Sequence, residues 1–255
     1  FLANMSHELR TPLNSLLILA RLLSENNEGR LDEKQVEYAQ SIYSAGTDLL
    51  NLISDILDLS KVEAGKMEVH PAAVPLAQVC ADVEQTFRPL ADQKGLTFSA
   101  TVDDGTVPEI ETDEQRLQQV LKNLLSNAVK FTEYGSVALS VGVAPAGIRY
   151  AHPALLAASA DGAVLEFAVT DTGIGIPADK RLLIFEAFQQ ADGTTSRRFG
   201  GTGLGLSISR EIAALLGGEI RVESTEGEGS RFALYLPTTW YGGPRQPGAS
   251  AEMVE

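Results

Sequence analysis

His7 is followed by Glu8 and, one helical turn on, by Thr11, so a carboxylate and a hydroxyl stand near one imidazole. A nucleophilic imidazole needs one nitrogen free and the other held by an acceptor, a part Glu8 can fill. Pro12 lacks the N–H that would bond the Glu8 carbonyl, which predicts a kink beside the histidine. An ordinary polar surface would look the same. Asn123, Asn127 and Lys130 are separated by steps of four and three, which places them on one helix face. Amide oxygens suit magnesium and an ammonium suits phosphate, so this face fits a magnesium-bound polyphosphate; a solvated face shares the spacing.

Two glycine-containing segments add to these. Asp171-Thr172-Gly173-Ile174-Gly175-Ile176 follows an apolar strand pattern. Its carboxylate could accept a hydrogen bond from an exocyclic amine such as that of adenine, and its glycines allow a sharp turn or close approach to a flat ligand. Many plain turns carry this pattern. Gly200-Gly201-Thr202-Gly203-Leu204-Gly205-Leu206 can wrap backbone N–H groups around phosphates at a helix N-terminus. No Gly-Lys-Ser/Thr follows it and no βαβ opening precedes it, which excludes a P-loop and a Rossmann turn. Phe185, Phe188, Gln189, Gln190 and Arg197 precede the loop and could form its mobile cover, although Phe185 fits a core aromatic equally well.

The elements that must position these groups fall into two parts. Leu2, Met5, Leu9, Pro12, Leu16, Leu19 and Leu23 follow the alternating three–four steps of a helix seam, broken at Asn26, Asn27 and Gly29. A second run, Tyr38, Ile42, Ala45, Leu49, Leu52, Ile56 and Leu59, fades near Gly65, with Leu50, Ile53 and Leu57 widening its stripe. One hairpin cannot cover so wide a stripe; two hairpins in a symmetric four-helix bundle can, and so can packing on the downstream domain. His70 to Pro75 reads as a linker. Leu76 to Gly95 is helical in pattern, Leu96 to Val102 alternates like a strand, and Thr112-Asp113-Glu114-Gln115 fits a capping box opening a helix to about Phe131. Gly135 to Val143, Ala163 to Thr170, Glu219 to Ser224 and Arg231 to Leu236 read as strands, with a featureless hairpin connection at Pro145 to Gly162. The expectation is an α+β chain of two domains: a helical hairpin over 1–68, a linker at 69–75, an α/β sandwich over 76–238 and a tail at 239–255.

Composition sets the limits. The 255 residues are 44% apolar and 21% charged, an ordinary globular balance with room for two domains. Acids outnumber bases 34 to 20, a net charge of −14 that argues against nucleic acid as a partner. The single Cys80 excludes an intrachain disulfide, and with three histidines it argues against a zinc cage. No apolar run is long enough to span a bilayer and no signal pattern opens the chain, so a cytoplasmic fragment without membrane contact is expected.

Taken in order, these motifs resemble those of sensor histidine kinases. Phe1 to Asn14 resembles the H-box, Asn123 to Thr132 the N-box, Asp171 to Ile176 the first glycine box, Phe185 to Phe188 the F-box and Gly201 to Leu206 the second glycine box. The similarity spans Phe1 to Pro237 and is closest to hybrid kinases, in which a receiver domain often follows. The resemblance implies a homodimeric phosphoacceptor hairpin and an ATP-binding sandwich of the type shared with gyrase and heat-shock ATPases. It implies that His7 receives the γ-phosphoryl group of ATP, that Glu8 orients or deprotonates it, and that Thr11 serves dephosphorylation of a receiver aspartate. Asn127 with Asn123 would hold Mg2+, Lys130 would contact phosphates, and Asp171, in the turn of Gly173 and Gly175, would read adenine. Phe185, Phe188, Arg197, Gly201, Thr202, Gly203, Leu204 and Gly205 would belong to the ATP pocket and its lid. The implied partners are a second copy and a response-regulator receiver, in cis or in trans. A conformational ATPase of the same fold and a catalytically inactive dimeric relay scaffold are the competing readings.

Overall fold

The computed structural model describes residues 2–27, 29–187 and 203–240, with backbone alone at 2–10 and 63. Two helices lead: α1 (Leu2–Glu25), which continues through Pro12, and α2 (Glu33–Glu63). Asn26 turns the chain between them with φ 41°, and its side chain grips the loop, donating to the Leu31 carbonyl and accepting from the Leu31 N–H. Asp32 and Gln35 then form a reciprocal capping box that starts α2. The hairpin closes on small residues. Ala20 and Ala39 are buried, and a side chain at Gly46 would meet Leu17 Cδ2 at 2.7 Å. The seam residues Leu16, Leu19, Leu23, Tyr38, Ile42 and Leu49 stay 46–62% exposed. Leu52 and Leu59 behave differently. Expected on that seam, they pack with Val62 against the core of the following domain.

Next come β1 (Ala72–Pro75), α3 (Leu76–Lys94), β2 (Thr97–Val102), β3 (Glu109–Thr112) and α4 (Glu114–Phe131). They are followed by β4 (Ser136–Val143), α5 (Pro153–Ser159), β5 (Val164–Asp171), a short 3-10 turn at Leu183–Phe185, α6 (Gly205–Leu215), β6 (Glu219–Thr225) and β7 (Gly229–Pro237). The main sheet has the order β2-β4-β5-β7-β6, with β2 and β4 parallel and the other pairs antiparallel. Strand alternation sends Leu139, Leu165, Phe167, Val169 and Leu234 to one face, where Leu117, Leu121, Leu124 and Leu125 of α4 meet them.

Three local expectations are corrected. The segment expected to be a linker up to Pro75 contains β1, which pairs antiparallel with β3, because the backbone of residues 72–75 lies alongside 109–112. The cap of α4 is Asp113 rather than a Thr112–Gln115 box: Thr112 is committed to β3, and Asp113 Oδ1 accepts from Arg116 N at 3.0 Å. Its Oδ2 also accepts from His70 N at 2.9 Å, tying the chain between the domains to the helix start. Finally, the 145–162 connection has structure of its own. Tyr150, Leu155 and Ala158 cover Val164, Ala233 and Tyr235, a small apolar cluster separate from the main core. Arg221 lies 5.7 Å from the ring centroids of both Tyr150 and Tyr235, while Glu219 accepts from the N–H groups of Ala151 and His152.

Candidate active site

α4 buries Leu117, Val120, Leu121, Leu124, Leu125, Ala128 and Val129, which leaves Asn123, Asn127 and Lys130 half-buried along another face. The three therefore share a face as the spacing required. Asn123 is engaged there. Its Nδ2 donates to the buried Ser209 Oγ at 2.8 Å, and a Cβ at Gly205 would overlap its Oδ1. Only glycine lets the first turn of α6 approach α4 this closely, so Asn123 acts as a joint between the two helices.

The far end of α4 is capped from outside. Lys94 Nζ donates to the carbonyls of Val129 at 2.8 Å and Lys130 at 3.3 Å, where a cation also suits the helix dipole. Thr132 Oγ1 donates to the Ala128 carbonyl at 2.7 Å. Burial lowers the pKa of the Lys130 ammonium, and the negative charge of Asp48 on α2 partly opposes that. A cation on a half-dry surface attracts a phosphate more strongly than one in open water.

Asp171 ends β5 and is 8% exposed. Burial raises its carboxyl pKa, offset in part by the N–H groups of Gly173, at 2.8 Å from Oδ1, and of Ser230. The turn that follows is pinned on several sides. Ile174 N donates to the Phe131 carbonyl at 3.3 Å, Ile176 N to Ser224 Oγ at 2.7 Å, and Ser136 N to Thr172 Oγ1 at 3.0 Å. Gly175 has φ 66°, and any Cβ there would overlap the Thr225 carbonyl. The bond from Ile174 to Phe131 matters most, because it fixes the Asp171 turn to the end of the helix that carries Asn127 and Lys130.

Other expected site residues stand as follows. Gly203 has φ 70°, Leu204 is fully buried, and Gly205 opens α6, so Leu204 offers a bound molecule its backbone only. Phe185 is buried edge-to-face on Phe232 with centroids 6.4 Å apart, a packing role rather than that of a cover. His7 and Glu8 lie on α1, where the backbone alone is described, and Thr11 is exposed on the same helix. Phe188, Gln189, Gln190, Arg197, Gly201 and Thr202 lie outside the described residues. Sequence reasoning missed Ser209, Thr172 and Ser224. Ser209 was findable as a polar residue four positions after Gly205 on an otherwise apolar helix face; the other two gave no comparable signal.

The donor set decides what metal chemistry fits. Among the described residues no cluster of three or more His, Cys, Asp or Glu could hold a metal on its own. A magnesium ion carried by phosphates needs only one or two protein oxygens, which Asn127 on this face can provide. Among the described residues no helix is long and apolar enough to cross a membrane.

Comparison with known proteins agrees with this layout. The family of histidine kinase-, DNA gyrase B- and HSP90-like ATPases matches residues 112–239, and the His kinase A (phospho-acceptor) domain matches residues 1–65. The autoinducer 2 sensor kinase/phosphatase LuxQ of Vibrio parahaemolyticus is 40% identical over 238 residues, 93% of this chain and 26% of that protein. The circadian input-output histidine kinase CikA of Synechococcus elongatus is 39% identical over 254 residues, 99% of this chain and 31% of that protein. The chain thus spans between a quarter and a third of the length of these curated relatives. The crystal structure of full-length ShkA in complex with AMPPNP superposes with a TM-score of 0.72 at 36% identity, covering 95% of this chain and 46% of that one. With a phospho-acceptor hairpin joined to an ATPase sandwich whose helix face and glycine turn meet as described, the chain belongs to the sensor histidine kinase family and comprises that family's catalytic core.

Proposed function

We propose that this chain is an ATP-dependent protein histidine kinase of a two-component phosphorelay, acting as a homodimer. The observation that carries the reading is the bond from Ile174 N–H to the Phe131 carbonyl, which couples the Asp171 turn to the helix face of Asn127 and Lys130. A nucleotide laid across that junction has its adenine amine at a carboxylate and its phosphates along a face bearing an amide and an ammonium. Magnesium, when bound, neutralises phosphate charge, and the Asn127 amide oxygen is the group that would hold it. Asn123 donates through its amide nitrogen to Ser209, which keeps α6 and the glycine loop in register with α4, while its amide oxygen would join that of Asn127 in holding the metal.

A nitrogen of the His7 imidazole attacks the γ-phosphorus. An N–P bond forms, the bond to the β–γ bridging oxygen breaks, ADP leaves, and the imidazole proton passes to Glu8. Positioning and charge neutralisation supply most of the acceleration in such a transfer. The phosphoryl group then moves to a receiver aspartate, on the parent chain or on a separate protein, the N–P bond breaking as an O–P bond forms. Thr11, exposed one turn after His7, would position water for the reverse task of hydrolysing the receiver's acyl phosphate.

The second copy covers the exposed seam. A groove of about 310 Å³ lined by Leu13, Leu16, Leu17, Ile42, Ala45, Gly46 and Leu49 runs along the hairpin and suits the knobs of a partner hairpin. The test of the whole reading is incubation with γ-labelled ATP and magnesium. Bound label that is lost in acid and kept in alkali is expected; no label, or label stable to acid, would overturn it.

A further inference from the structure

The Asp171 turn rests on a buried serine two strands away. Asp171, Ser230 and Ser224 are cross-strand partners in one row over β5, β7 and β6. Antiparallel partners share a sheet face, and each of the three is only 8% exposed. Ser224 Oγ donates to the Gly229 carbonyl at 2.8 Å and accepts from Ile176 N at 2.7 Å, and Ser230 Oγ lies 3.0 Å from it. A hydroxyl has one proton and two lone pairs. The proton goes to Gly229 and one lone pair to Ile176, so Ser230 is the donor in its pair with Ser224 and the Ser224 oxygen is saturated. These bonds reach the carboxylate from both sides. Asp171 accepts from the N–H of Gly173 in the turn and from that of Ser230 in β7. Ser224 holds the turn through Ile176 and holds β7 through Gly229 and Ser230. The backbone around them is closely fitted: a Cβ at Gly229 would overlap the Asp171 carbonyl, and Gly227 N donates to the Ile174 carbonyl at 2.8 Å.

We propose that Ser224 is a positioning residue for base selection: it holds the two N–H groups that aim the Asp171 carboxylate, and so sets how strongly the site prefers a purine with an exocyclic amine over one with an exocyclic carbonyl. The proposal rests on the assignment of Asp171 to the adenine amine. An amine donates to a carboxylate, whereas a carbonyl oxygen at the same place meets it with lone pairs and is repelled. Both effects need the carboxylate held in place. If it can swing aside, the hydrogen bond to the amine weakens and the repulsion of the carbonyl is relieved. Ser224 therefore acts through Asp171 rather than on the nucleotide.

The experiment uses the full 255-residue chain and calorimetric titration with two probes, MgADP and the magnesium complex of inosine diphosphate. The ratio of their Kd values is the readout. Ser224→Ala is expected to cut the preference for MgADP about three- to tenfold, chiefly by weakening MgADP. Ser224→Thr keeps the hydroxyl and should keep the wild-type preference. Ser224→Cys keeps the volume with a weaker donor and acceptor and should lose part of it. Asp171→Asn should abolish the preference, because an amide can turn either end to the base. Equal weakening of both nucleotides by Ser224→Ala, with Asp171→Asn still abolishing the preference, overturns the proposal while the adenine assignment stands. Should Ser224→Ala not fold, Ser224→Cys decides: a full wild-type preference in it overturns the proposal. A loss in Ser224→Thr as large as in Ser224→Ala assigns the effect to packing and overturns it as well. A preference that survives Asp171→Asn removes the adenine assignment, and the role of Ser224 with it, whatever the Ser224 variants do.

Discussion

The hairpin and the ATPase domain solve burial in opposite ways. The ATPase domain hides Phe167, Leu121, Leu139, Leu165 and Ile212 almost completely between sheet and helices. In the hairpin, among the described side chains of residues 11–62, the fully buried apolar ones are Ala20 and Ala39. Its larger apolar side chains, Leu16, Ile18, Leu19, Tyr38 and Ile42, remain more than half exposed. At about 25 cal/mol per Å² of apolar area, leaving them in water forfeits several kcal/mol, which a second hairpin would recover. One region closes its own core, and the other leaves a wide apolar seam open. The proposed chemistry divides along the same line, with the phosphoacceptor on the hairpin and the nucleotide on the ATPase domain.

That division can be broken most sharply at His7. His7→Gln should abolish labelling from γ-labelled ATP while leaving MgADP affinity nearly unchanged, since distant sites on separate units contribute independently. Labelling of the variant at the wild-type rate would remove His7 from its role. Asn127→Ala tests the ATPase domain. Loss of one placed electrostatic group typically costs on the order of 10²-fold in rate, so autophosphorylation should fall by about that much with thermal stability retained. An unaltered rate and magnesium dependence would make Asn127 a surface amide.

A smaller effect is expected at Leu49, on the open seam. Leu49→Asp would place a charge in the dimer core and should weaken dimerisation by about 2 kcal/mol, near thirtyfold in Kd, as read by sedimentation. Nucleotide affinity should not change; if the dimer is unaffected, the exposed seam is not where copies meet. The mildest expectation concerns pH. Burial favours the neutral Asp171, so its carboxyl titrates above the ordinary value of 3.8. The proton is thus bound more tightly folded than unfolded, and Asp171's contribution to stability, largest in acid, declines as pH rises through the raised pKa. Binding runs the other way, because an amine donor needs the ionised carboxylate. MgADP affinity should drop severalfold as pH falls through that range, and Asp171→Asn should bind more weakly but lose this pH dependence.

Legibility in the sequence followed the range of the interactions. Helix and strand periods depend on neighbours a few residues apart, and α3, α4, β4, β5, β6 and β7 all lie where the periods put them. The face shared by Asn123, Asn127 and Lys130 is likewise a local property of one helix. What stayed hidden needed a partner distant in sequence. β1 exists because residues near 110 pair with it, and the real cap of α4 is the residue whose other oxygen holds His70. The covering role of Tyr150 over Tyr235 is invisible in an Ala- and Gly-rich stretch, because its apolar contacts lie across the sheet. Leu52 and Leu59 show the limit most plainly. Their heptad spacing marks an apolar stripe that some surface must cover, but spacing alone does not name which surface covers it.

The position of β7 bears on how the protein is made. β7 (Gly229–Pro237) sits between β5 and β6, and of the strands in this sheet it is synthesised last. Until it leaves the ribosome, β5 and β6 each lack a neighbour and present open edges to other nascent chains. The hairpin, made before the sheet and built on local contacts, can form and expose its apolar seam while the sheet is still waiting. Chains from the same message would then be able to pair before either has a working ATPase, and a transcript ending before residue 229 would yield a pairing-competent hairpin attached to an unfinished, aggregation-prone sheet.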